Sequence, residues 1–213
     1  GFPVFPLNWK NSEGETYHGY REDGYFPDAF VNLLAMLGWN PGTEQEIFSM
    51  QELVDAFSLE KVSKSGAKFN PEKAKWYNRE YLRMRSNEEI AGILLPMLEA
   101  DGIQADLDYV AKVVELTKER ATFVSDLVAV TTPLFTAPKE YVQKDVDKFA
   151  KPEIVALALD ALTNYGEEGL EDYVRSHEMP MGKVMNTLRL FLVGASKGPG
   201  VAEIMSIIGR DEV

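Results

Sequence analysis

Apolar residues recur at intervals of three and four along most of the chain, the spacing that places them on one face of an α-helix. The first clear run starts at Pro27, where a first helical residue tolerates a missing N–H, and stops at Gly38, where glycine can form a left-handed cap. The apolar positions between them are Phe30, Leu33, Leu34 and Leu37. This run predicts a helix that begins at Pro27 and is capped by Gly38.

Three further helix starts carry capping signals. Ser49 and Ser86 are each followed, three positions later, by a glutamate, which is the spacing of a capping box. Asn70 stands directly before Pro71, so a capping side chain precedes a proline at the first helical position. We expect the helix after Asn70 to continue to about Arg83.

The rest of the chain has the same helical spacing. The first twenty residues are the exception, and we expect them to be extended or irregular. Helices are predicted through 107–116, 123–130 and 152–162, after Glu167, after Met181, and from about Gly200 to Ile208 with an end at Gly209. Because no segment is rich in strand signals, the sequence predicts an all-α fold.

Composition narrows the class of protein. The chain has 213 residues, is 45% hydrophobic and 26% charged, and contains no apolar run of the roughly 18 residues that a membrane span needs. It has no cysteine, which excludes disulfides and a cysteine nucleophile and is typical of cytoplasmic proteins. Its two histidines lack metal-ligand spacing, so we expect no metal site. The first residues do not have the pattern of a secretion signal, and we expect neither secretion nor a membrane partner.

Charge is distributed unevenly. The formal net charge is −12, which argues against a non-specific nucleic-acid binder, DNA included. The window from Glu60 to Arg85 is nevertheless net positive, and Lys75, Arg79 and Arg83 fall on one face of the predicted helix. Two interpretations stay open: this face contacts an RNA backbone, or it is an ordinary solvated face.

Several short motifs occur in a fixed order between residues 24 and 78. They are GY-x-P-D-A, LGW, EIF, AF-x-L-E, KF-x-P-E-K and WYN. In this order they resemble the segment that follows the catalytic domain in bacterial glutamyl-tRNA synthetases. The resemblance extends from about Gly1 to Asp211, and only the FPVFPLNW stretch at residues 2–9 departs from it.

This resemblance implies an organisation and a function. It implies a helical stem-contact domain over 1–83 and a two-part helical anticodon-binding domain over 84–150 and 151–213. The expected partner is tRNA(Glu), recognised by its stem and anticodon, with the protein monomeric. The full-length enzyme would attach glutamate to tRNA(Glu) with ATP and Mg²⁺, whereas this chain would lack the catalytic domain, hold no cofactor and be inactive alone.

Residues 61–65 read KVSKS and resemble the KMSKS signature of class I aminoacyl-tRNA synthetases. In that signature the second lysine stabilises the transition state of adenylate formation, against a nucleotide held by a Rossmann-type sheet. The chain has no HIGH-type sequence and no glycine-rich strand-to-helix turn. In the glutamyl family the catalytic loop resembles KLSKRDG and lies upstream. We therefore expect a non-catalytic role, with Lys64 contacting the tRNA backbone.

Two stretches resemble the family's anticodon-reading parts. The LR-x-x-L-x-G…PG pattern implies that Arg189 and the loop with Lys197, Gly198 and Val201 meet the anticodon, and its glycines lead into a helix N-terminus that suits a phosphate or a base edge. The E-L-x-x-x-R run implies that Arg120 reads a base. The alternatives are that Arg189 covers the core with its stem and that Arg120 is a simple surface charge.

A rival from another class is a non-catalytic helical module that binds protein. The acidic net charge favours it, whereas the ordered motifs favour tRNA recognition. Salt-dependent binding to tRNA separates the two.

Overall fold

The computed structural model describes residues 5–64, 66–166 and 169–209. The predicted all-α class is confirmed: this part of the chain forms eleven α-helices and a single two-stranded hairpin. The described residues fall into two compact units, one from Gly1–Ile93 and Lys118–Leu127, the other from Leu94–Thr117 and Val128–Val213. No described helix is long and apolar enough to cross a membrane.

The elements follow the chain in a simple order. The hairpin pairs β1 (Trp9–Lys10) with β2 (Thr16–Tyr17) in antiparallel register. The helices are α1 (Pro27–Gly38), α2 (Met50–Ala56), α3 (Pro71–Met84), α4 (Asn87–Ala100), α5 (Leu107–Thr117), α6 (Val124–Thr131), α7 (Gln143–Phe149), α8 (Pro152–Asn164), α9 (Leu170–Ser176), α10 (Met181–Val193) and α11 (Val201–Ile208).

In the first unit, α1 packs on α3, and buried polar side chains of these two helices bind the backbone of neighbouring loops. Asn32 on α1 accepts from the Phe48 backbone N–H at 2.8 Å and lies 2.8 Å from the Tyr81 hydroxyl of α3. Asn78 on α3 accepts from the Phe26 N–H at 2.8 Å and donates to the Thr122 carbonyl at 2.7 Å. Because buried amides are costly without partners, these bonds fix how the loops meet the helix pair.

The predicted helix starts are confirmed, but one predicted helix end is wrong. The Ser49 side chain accepts from the Glu52 N–H in a full capping box, and Asn70 caps α3 ahead of Pro71. Gly38, in contrast, is the last residue of α1 and is not left-handed; the extended Trp39 follows it. The chain leaves α1 in an extended conformation because Trp39 forms an antiparallel bridge with Val62.

The first residues are more ordered than we expected from the sequence. The stretch predicted as extended or irregular contains the β1–β2 hairpin, on which the rings of Phe5, Trp9 and Tyr17 lie 5.4–5.7 Å apart. The beginning of the FPVFPLNW stretch, residues 2–4, lies outside the described residues. The hairpin is too short to change the fold class.

In the second unit, α8 and α10 form the largest helix contact and enclose an apolar core with α9 and α11. The residues just before the boundary expected at 150/151 form α7. Its Phe149 side chain is buried, and the Phe149 carbonyl accepts from the Thr187 hydroxyl at 3.0 Å. The predicted last helix and its end at Gly209 are confirmed. The boundaries at 83/84 and 150/151 stay predictions.

Candidate functional site

The loop of residues 194–200 joins α10 to α11 and contains two of the five predicted anticodon-binding residues, Lys197 and Gly198. Gly194 ends α10 in a left-handed conformation with φ 78°, and its N–H donates to the Leu190 carbonyl at 2.8 Å. A Cβ there would lie 2.8 Å from the Glu140 carbonyl oxygen, so only glycine fits without a shift. The Val142 N–H also donates to the Gly194 carbonyl at 2.9 Å, which anchors the loop's first residue.

Arg189 holds this loop together. Its Nε donates to the Pro199 carbonyl at 2.7 Å, and its Nη1 donates to the Ser196 carbonyl at 3.1 Å and to Asn186 Oδ1 at 3.0 Å. The planar guanidinium fits this task because its donors diverge from one rigid plane. Arg189 is therefore more than a side chain lying over the core: it ties both ends of the turn to α10.

Asp145 on α7 also binds the backbone of this loop. Its Oδ2 accepts from the Ser196 N–H at 2.8 Å, and this backbone hydrogen bond lowers the pKa of the carboxyl below its ordinary value. Lys144 and Lys148 contribute to the lowering. Sequence reasoning missed Asp145, because the residue lies about fifty positions before its partner and no local pattern connects them.

The remaining predicted loop residues differ in accessibility. Lys197 is exposed and Gly198 is partly buried against the Arg189 side chain. Val201 is 3% exposed, so its side chain belongs to the core and only its backbone is left to meet a ligand. The Gly200 N–H donates to Glu203 Oε2 at 2.9 Å. The protein's own carboxylate thus occupies the helix start where the glycines suggest a phosphate, and that expectation is wrong for the Gly200 N–H.

Arg120 belongs to the first unit, whereas the loop of residues 194–200 belongs to the second. It ends a short 3₁₀ turn, Lys118–Arg120, and is exposed. The turn is attached to α3 because Arg83 pairs with Glu119 at 2.9 Å. The structure therefore brings Arg189, Lys197 and Gly198 together in the second unit and leaves Arg120 in the other.

The predicted basic face of α3 is exposed to partly exposed, but acidic neighbours accompany it. Lys75, Arg79 and Arg83 each lie within 4 Å of a carboxylate, at 3.0, 3.7 and 2.9 Å. Ion pairs of this exposure contribute roughly 0–1 kcal/mol, so an RNA phosphate can exchange for them at little cost. The carboxylates are Glu72, Glu80 and Glu119.

The KVSKS segment is fastened to the end of α1. Val62 forms an antiparallel bridge with Trp39, the Ser63 N–H donates to the Gly38 carbonyl at 2.7 Å, and Lys61 Nζ donates to the Pro41 carbonyl at 2.6 Å. Lys64 is exposed. Ser65 lies outside the described residues. These contacts give the segment a structural role in the first unit.

Comparison with protein families divides the chain in two. The model of the anticodon binding domain matches residues 89–213, and the model of the catalytic domain of class I tRNA synthetases (E and Q) matches residues 10–76. The segment that we expect to contact the tRNA stem is thus similar to part of a catalytic-domain family model.

Similar proteins cover the whole chain. Glutamate–tRNA ligases from Flavobacterium psychrophilum and Phocaeicola vulgatus are each 44% identical over 100% of this chain. The crystal structure of a glutamate tRNA ligase from Elizabethkingia meningosepticum, in complex with its amino acid, matches with a TM-score of 0.89 at 41% identity over 100% of the chain. The chain spans 44% of the length of each of these proteins. It therefore belongs to the anticodon-binding-domain family, as found in the glutamate–tRNA ligases.

Proposed function

We propose that this chain recognises the stem and anticodon of tRNA(Glu) as part of a glutamate–tRNA ligase. The observation that carries the proposal is the match of residues 89–213 to the anticodon-binding model, because this range contains the loop held by Arg189. The similarity of the whole chain to glutamate–tRNA ligases supports glutamate as the amino acid of the longer enzyme.

Specificity comes from the loop of residues 194–200 and from Arg120. Arg189 fixes the carbonyls of Ser196 and Pro199, which shapes the backbone around the exposed Lys197 and the partly buried Gly198. A preorganised loop costs less to order when single-stranded bases bind. Arg120, exposed in its turn, contributes a guanidinium suited to a base edge.

Backbone contacts come from the first unit. Lys75, Arg79 and Arg83 of α3 contact phosphates in place of their carboxylate partners. The exposed Lys64 of the KVSKS segment adds a further phosphate contact. Phosphate contacts position the RNA without reading its sequence. The net charge of −12 keeps such binding local and therefore weak toward other nucleic acids.

ATP and Mg²⁺ belong to the longer enzyme. In the first unit the Lys61 ammonium is bound to the Pro41 carbonyl, and among the described residues no group of three His, Asp or Glu could hold a metal ion. These residues do not fit a nucleotide–metal site, so no chemical step is assigned to them. We further propose that the protein acts in the cytoplasm as a monomer.

The test is a binding titration of the chain with tRNA(Glu) and with anticodon variants, across a salt series. We expect salt-dependent binding, and we expect Arg189→Ala to cost on the order of 1–3 kcal/mol on the cognate tRNA and less on a tRNA already altered at the affected base. Arg175→Ala is the matched control, because Arg175 is an exposed arginine of α9 paired with Asp172.

Two outcomes would contradict the proposal. Absence of tRNA binding by the chain would favour the protein-interaction alternative. Equal losses on cognate and altered tRNA would reduce Arg189 to a structural role, while leaving tRNA binding itself in place.

A further inference from the structure

A cleft of the first unit is lined by side chains of α1 and α3 and has no assigned role. Its volume is about 190 Å³, well above the roughly 30 Å³ that one water takes in the liquid. Its lining combines three apolar side chains with a carboxylate, two lysines, an amide and a phenol. The lining residues are Leu33, Met36, Leu37, Glu46, Lys68, Asn70, Lys73 and Tyr77.

Tyr77 is the unusual group in this cleft. Its side chain is 1% exposed, yet its hydroxyl finds no hydrogen-bond partner among the described residues. Leaving a buried hydroxyl unpaired costs about 1–3 kcal/mol. Its neighbour one turn along α3, Tyr81, does have partners, since its hydroxyl lies against Asn32 and the Phe48 carbonyl.

The Tyr77 hydroxyl is a hydrogen-bond donor at physiological pH. Burial raises the pKa of Tyr77 to about 12, and the Glu46 carboxylate adds to the effect. A phenol that stays protonated is suited to an anionic acceptor.

The charges in the cleft favour one negative group. Lys73 Nζ lies 2.7 Å from both Glu46 oxygens and 3.9 Å from the centre of the Trp76 ring, so this lysine and glutamate neutralise each other. Lys68 is exposed and adds a positive charge. The cleft lining therefore has one net positive charge and one unpaired donor, and its apolar side chains strengthen electrostatic interactions by excluding water.

We propose that this cleft binds one phosphate group of the tRNA backbone, with the Tyr77 hydroxyl and the Lys68 ammonium as its donors. The inference rests on the proposed tRNA-binding function and adds a contact that the sequence does not indicate. A phosphodiester has a single negative charge and only acceptor oxygens, which matches the charge and the donors of the cleft. The contact is independent of RNA sequence.

The experiment measures the affinity of the chain for tRNA(Glu) and its melting temperature in parallel. Tyr77→Phe removes an unpaired hydroxyl, so we expect an unchanged or higher melting temperature together with about tenfold weaker tRNA binding. Lys68→Ala should lower the slope of log affinity against log salt by about one. Both effects should be equal on cognate and anticodon-altered tRNA.

Two variants serve as controls. Tyr81→Phe removes a hydroxyl that has partners, so it should lower the melting temperature and leave the tRNA affinity of the folded protein unchanged. Lys10→Ala removes an exposed lysine of β1, away from the cleft lining, and should leave the salt slope unchanged.

Free phosphate has the same chemistry as the backbone group, so a second titration uses inorganic phosphate at constant ionic strength. Weaker tRNA binding by Tyr77→Phe, with no saturable binding of inorganic phosphate, supports the backbone site. The backbone site is overturned if Tyr77→Phe and Lys68→Ala both bind tRNA as tightly as the wild type does. It is also overturned if Tyr77→Phe abolishes the binding of inorganic phosphate but leaves the tRNA affinity unchanged. Absence of tRNA binding by the wild type overturns the proposed function, and this inference with it.

Discussion

Two charged side chains outside the loop of residues 194–200 bind the backbone of that loop. Arg189 on α10 binds two loop carbonyls and Asp145 on α7 binds a loop N–H, so two helices fix the backbone of the loop. The sequence indicates Arg189, because it stands in a recognisable pattern. It does not indicate Asp145, because a carboxylate on one helix and an N–H about fifty residues later share no local signal. Tertiary hydrogen bonds of this kind are the part of the site that sequence reasoning misses.

Asp145→Asn should lower stability at neutral pH by about 1 kcal/mol or less, because a charged acceptor becomes a neutral one at a partly exposed site. The folded-state pKa of Asp145 is lowered, so its contribution is complete above the unfolded value of roughly 3.9 and is lost as the pH falls through the folded value. Urea unfolding of both proteins from pH 7 downward measures this.

The difference between wild type and Asp145→Asn should therefore shrink in acid. Asp147→Asn is the control on the same helix, where the carboxylate accepts from the Gln143 side chain and not from the loop. A pH-independent difference for Asp145→Asn would mean that the charge of this carboxylate does not contribute to holding the loop.

At the scale of elements, the helix starts could be predicted because their causes are local. A cap needs one side-chain oxygen and two or three backbone N–H groups within the same turn, and Ser49, Asn70 and Ser86 all provide this. The end of α1 could not be predicted, because the direction of the chain after Gly38 is set by its pairing with residues 61–63, over twenty positions later. Likewise, α7 looks like a charged connection until the burial of Phe149 is known.

Ser86→Ala tests the capping box of α4. The Ser86 hydroxyl accepts from the Glu89 N–H at 3.1 Å, and the Ser86 N–H donates to Glu89 Oε2 at 3.0 Å. Removing the hydroxyl should lower the free energy of unfolding by about 1 kcal/mol, because the N–H at the helix start loses its acceptor. Thermal or urea unfolding measures the loss.

Ser86→Asp is the matched variant for the cap of α4, because aspartate also caps helices and its negative charge suits the positive N-terminal end. We expect Ser86→Asp to restore the stability that Ser86→Ala loses. Equal losses in both variants would show that packing around the side chain, and not the capping bond, accounts for the effect.

At the scale of the whole molecule, ordered motifs predicted more than charge did. The net charge of −12 alone favours a protein-binding module, whereas the order of motifs between residues 24 and 78 indicated the family. Charge was a weak guide because it sums over the surface, while RNA contacts depend on small local groups. The structure shows this on α3, where cations and carboxylates alternate within single turns.

The last prediction concerns the activity of the 213-residue chain: it should give no glutamate-dependent exchange between ATP and pyrophosphate. Adenylate formation needs a nucleotide held beside a mobile lysine loop, but the only KMSKS-like segment is fastened by Val62 and Ser63 to the end of α1. The same assay on a complete glutamate–tRNA ligase is the positive control. An exchange signal from the purified chain that Lys64→Ala abolishes would contradict the structural role of this segment and make residues 61–65 catalytic.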